Sequence, residues 1–78
     1  MNIMKNAELR TSIEKEIQNV LRRALGFRAA GITITLYGSC ACLYGNVCTP
    51  EQRDQAQRVT RSVPGVAAVK NYLAVNLF

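Results

Sequence analysis

The chain has 78 residues, 49% of them apolar and 19% charged, and ten basic against five acidic side chains leave a net charge of +5. A chain this short reads as one domain that buries only about 60% of the surface its unfolded form exposes, too apolar for disorder and without the ~18-residue apolar run of a membrane span. The basic balance draws anionic partners by non-specific attraction, although charge by itself is explained first by a solvated surface.

The opening MNIMKNAELR runs directly into charged residues, with neither the apolar stretch nor the cleavage site of a secretory signal. Residues 1–6 are expected to be a flexible N-terminus and residues 7–78 a single domain, in the cytoplasm or peripheral to a membrane. From Ala7 onward, Leu9, Ile13, Ile17, Val20, Leu21, Ala24 and Leu25 recur every third or fourth position, which predicts an amphipathic helix. Asn6 is the expected N-cap, and Gly26 follows a last turn that carries Arg22 and Arg23, the charge preferred at a helix C-terminus.

The rhythm then changes from helical to alternating. Ile32, Ile34 and Leu36 alternate with Thr33, Thr35 and Tyr37 until Gly38-Ser39 interrupts, which predicts a hairpin with a type II′ turn. A two-residue loop sets Tyr37 opposite Cys40, Leu36 opposite Ala41, Thr35 opposite Cys42, Ile34 opposite Leu43 and Thr33 opposite Tyr44. Apolar residues then meet on one face, and a slip of one position would destroy the sorting.

Thr49-Pro50-Glu51-Gln52 reads as a helix start, with Thr49 as N-cap, proline at the first helical position and Gln52 closing a capping box. The helix is expected to run to about Ser62, with Ala56, Val59 and Val63 inward and Asp54 spaced to pair with Arg58. Pro64-Gly65-Val66 turns the chain into a third strand, in which Val69, Asn71, Leu73 and Val75 alternate with Lys70, Tyr72 and Ala74. The predicted fold is a two-layer α+β sandwich of order α-β-β-α-β, two helices on one face of a three-stranded mixed sheet. A right-handed crossover makes the second and third strands parallel, and the expected sheet order is 2-1-3.

With these elements in place, three stretches resemble the BON domain family: Ile32-Thr33-Ile34-Thr35-Leu36 leading to the turn, Leu43 to Val47 with Gly45 and Val47, and Val63 to Val75 with Gly65, Val66, Val69, Asn71 and Leu73. The likeness spans about residues 9 to 75. Ala41 departs from it, standing where the family usually has a larger aliphatic, as does Ser39 or Gly38 at the family's glycine before the second strand. The resemblance implies an α/β sandwich whose proposed role is binding phospholipid or attaching to membranes.

The chemistry-bearing side chains argue against catalysis. Cys40, Cys42 and Cys48 are the only cysteines, and an odd number fits free thiols in a reducing compartment. On a straight strand Cys40 and Cys42 lie about 7 Å apart and Cys48 about 20 Å from Cys42, so the three do not converge on one ion, and the chain has no histidine to join them. A Cys40–Cys42 disulfide would strain the strand. Without histidine a cysteine or serine nucleophile needs another base, and the carboxylates Glu8, Glu14, Glu16, Glu51 and Asp54 all fall in helices. The expectation is a protein that is not an enzyme and takes no cofactor or metal.

What remains is binding. Arg22, Arg23, Arg53, Arg58 and Arg61 are candidates for an anionic ligand such as a phospholipid head group. Thr33, Thr35, Tyr37, Cys40, Cys42, Tyr44 and Tyr72 gather on the sheet face away from the helices. That face is either an ordinary exposed one, rich in residues of high β-propensity, or an interaction surface for a protein partner or a second copy. Nucleic acid is the alternative ligand, with arginines on phosphates and tyrosines as stacking platforms. Only Lys70 interleaves those tyrosines, so lipid or protein binding stays ahead.

Overall fold

The helical periodicity of the N-terminal third forms α1, Asn6–Leu25. The computed structural model describes residues 6–76, and side chains from residue 8 onward. The flexible N-terminus expected over residues 1–6 thus lies outside the described residues save Asn6, which is already helical instead of capping the helix. After Leu25 comes a 3-10 segment, Gly26–Gly31, which the sequence did not announce because it buries no residue and so carries no periodic apolar pattern. Gly26 enters it at φ 64°, a left-handed conformation that glycine adopts without a Cβ penalty.

The hairpin forms in the predicted register. β1, Ile32–Tyr37, pairs antiparallel with β2, Cys40–Val47, through Tyr37–Cys40, Leu36–Ala41, Thr35–Cys42, Ile34–Leu43, Thr33–Tyr44 and, one pair beyond the prediction, Ile32–Gly45. In the turn Gly38 has φ 59° while Ser39 does not enter positive φ, which fits the expected type II′ geometry. α2, Pro50–Arg61, starts where the capping chemistry places it: the Thr49 hydroxyl accepts from the Gln52 backbone N–H at 3.1 Å, and the Gln52 side chain accepts from the Cys48 N–H at 2.8 Å. After the turn at Pro64-Gly65, β3, Ala68–Val75, runs parallel to β2.

The sheet order is β1-β2-β3, which corrects the expected 2-1-3. The central strand must satisfy hydrogen bonds on both edges, and β2, eight residues long like β3, pairs with β3 along its whole length, whereas β1 has six. Backbone bonds close both ends of this pairing, from the Ala67 N–H to the Ser39 carbonyl and from the Asn76 N–H to the Val47 carbonyl, each 2.8 Å.

Both helices cover one sheet face. Ile17 and Leu21 from α1, Leu36 from β1, Ala41, Leu43 and Val47 from β2, Ala56 from α2, Val63 and Leu73 form the buried cluster. Gly45, at φ 127°, lies so close to the start of β1 that a Cβ there would overlap the Gly31 carbonyl oxygen. At Gly65, φ 98°, a Cβ would meet the Ile13 side chain at 2.7 Å. Thr60 is also fully buried, and its hydroxyl has no hydrogen-bond partner among the described residues.

Candidate binding surfaces

The alternation along the three strands sends Thr33, Thr35 and Tyr37, then Cys40, Cys42 and Tyr44, then Lys70 and Tyr72 to the side opposite the core. Parallel pairing of β2 with β3 sets Tyr44 directly beside Tyr72, and their rings stack with centroids 5.3 Å apart and planes 11° from parallel. The two rings stay open to solvent, 39% exposed for Tyr44 and 56% for Tyr72, and Tyr37 is 64% exposed. Partial burial, and secondarily the neighbouring Cys42, hold the Tyr44 phenol above the usual tyrosine value.

Cys42 is on this face but only 4% exposed. Its place on the central strand puts Thr35 on one side and Lys70 on the other, and the Tyr44 side chain two residues on interacts with its thiol. Cys40 is half-buried and Cys48 exposed, and all three are free thiols. Among the described residues no group of three or more cysteines and carboxylates is placed to hold a metal ion.

The structure separates the five candidate arginines. Arg58 and Arg61 share the outward side of α2 with Asp54 and Gln57. Arg23 flanks the groove between α1 and α2 beside Val59 and Ser62, with its guanidinium 3.7 Å from the Glu16 carboxylate. Arg22 faces the other way, into the groove between α1 and the 3-10 segment. Arg53 is occupied: it donates to the Leu73 carbonyl at 3.1 Å and the Asn71 carbonyl at 3.4 Å, while the Asn71 amide donates back to the Arg53 carbonyl at 2.9 Å. The Asn71 side chain also accepts from the Leu73 N–H at 3.1 Å, so together these residues cover part of the outer edge of β3. Asp54 forms no ion pair with Arg58 within 4 Å, contrary to its helical spacing.

Two exposed residues outside the expected set belong to the same layer as Arg22. Phe27 is 86% exposed, and the Arg28 guanidinium lies 5.8 Å from the centre of its ring. An aromatic residue held between Gly26 and a cation, outside any periodic pattern, was the signal in the sequence.

A small mixed sheet backed by two helices, with exposed aromatic and cationic groups on its two sides, defines a binding-type α+β module. The BON domain family model matches residues 10–76, and the chain belongs to that family of small binding modules. Among solved structures it is similar to the C-terminal domain of CdsD, the structural protein of the Type III secretion system of Chlamydia trachomatis, with TM-score 0.71 and 16% identity. That alignment covers 86% of this chain and 33% of the solved chain, and at such identity the likeness is one of fold. No curated protein matches the chain in sequence.

Proposed function

We propose that this module is a non-catalytic adaptor whose helix layer docks on anionic phospholipid surfaces. The observation that carries this reading is the segregation of free cations. Among the described residues, Arg22, Arg28, Arg58 and Arg61, all in or beside the helices, are exposed and form no ion pair within 4 Å, whereas the outer sheet face offers only Lys70. Guanidinium groups bind phosphate oxygens in bidentate fashion, and cations near a negatively charged bilayer gain about 1 kcal/mol each. No described helix is long and apolar enough to cross a membrane, so the contact would be peripheral.

Vesicle flotation tests it, with phosphatidylglycerol-containing and purely phosphatidylcholine vesicles compared at low and moderate salt. Binding should require the anionic lipid and weaken with salt, and R58Q/R61Q together should lower affinity about 30-fold at low salt. Equal binding to neutral vesicles, or none to either, would overturn the reading. Binding of a single-stranded oligonucleotide in place of lipid would move the arginines to nucleic acid.

The stacked Tyr44–Tyr72 pair favours a second reading for the other side of the molecule, a face for a protein partner, of which a second copy of this chain is the simplest.

A further inference from the structure

Resting on the lipid reading above, we infer that Phe27 is an interfacial anchor that inserts into the bilayer while Arg22 and Arg28 engage the phosphates around it. Lone exposed apolar residues are common on protein surfaces, and exposure alone would mean little. Phe27 differs in what surrounds it. It is the most exposed of the large apolar side chains described, at 86%, and stands on a 3-10 segment in which no residue is buried. Nothing in the core needs its ring, and water is a poor solvent for it.

The charge around the ring is of one sign. Residues 17–50 contain no aspartate or glutamate, and within that stretch Arg22, Arg23 and Arg28 are the charged side chains. Arg28 rests over the ring, so as the ring sinks its apolar stem follows and the guanidinium stays at phosphate depth. Arg22 and Phe27 line one groove of about 490 Å³, with Gln18, Leu21, Ala29 and Ile32 among its walls. An exposed aromatic ring with one guanidinium over it and a second in the groove it lines complements the boundary where anionic head groups meet acyl chains.

The chain has no tryptophan, so F27W introduces a single fluorescent reporter. On phosphatidylglycerol vesicles its emission should shift to the blue and be quenched by lipids brominated in the acyl chain, whereas a Y37W reporter on the outer sheet face should do neither. F27A, whose thermal unfolding should match that of the unaltered protein because Phe27 is 86% exposed, should partition about tenfold more weakly. The tenfold loss should persist at moderate salt, since burial of a ring is not screened, while the arginine contribution shrinks. If the unaltered protein binds anionic vesicles but F27W shows neither shift nor quenching, or F27A binds as tightly as the parent, the anchor is refuted and the arginine reading stands. If the unaltered protein binds no vesicles, both fall.

Discussion

At Gly45 two constraints meet in one residue. The backbone there has φ 127°, which side-chain-bearing residues avoid, and the space a Cβ would fill is taken by the Gly31 carbonyl. Gly45→Ala therefore carries both backbone strain and a collision with main chain that has no rotamer to yield. It should destabilise the fold by about 2–5 kcal/mol, read as a lower denaturant midpoint at unchanged slope. A loss under about 0.5 kcal/mol would show that the start of β1 moves freely. Gly45 was legible as a family glycine in the sequence, but its reason was not, because Gly31 comes from another element. The same holds for Cys42: alternation assigns it to the face away from the helices, but its burial to 4% exposure depends on segments folded around the central strand.

Among the elements, β3 shows how a helix protects a sheet edge. β3 is paired with β2 on one side, and on the other Arg53 and Asn71 take up the Leu73 N–H and the carbonyls of Asn71 and Leu73. Asn71 also donates to Gln57 at 3.2 Å, so one amide ties strand to helix twice. Asn71→Ala leaves these groups without that partner and should cost about 1–3 kcal/mol, measured by thermal unfolding. Hydrogen exchange of the Leu73 amide should accelerate in the same variant; unchanged exchange there would mean that the side chain does not protect the edge. The sequence offered Arg53 only as a candidate for an anionic ligand. It lies eighteen residues from Asn71 in sequence, and the pairing arises only once the crossover is folded.

For the molecule as a whole, the two sides of the sheet are chemically different, and the second reading of function belongs at this scale. If the stacked tyrosines face a second copy, dilution should dissociate the protein in sedimentation equilibrium, and Y44S/Y72S should be monomeric at concentrations where the parent is not. A monomeric parent at several hundred micromolar would end that reading. The sequence by itself determined whatever rests on neighbours a few positions away: the two helices, the α2 cap, the β1–β2 register and the two-layer class, because propensity, capping and period-two sorting are local forces. Tertiary structure alone decided the sheet order, the enclosure of Cys42, the engagement of Arg53 and the projection of Phe27. Each depends on which distant segment lies alongside, and that choice is made by pairing the full length of β2 with β3 and closing both helices over a single buried cluster.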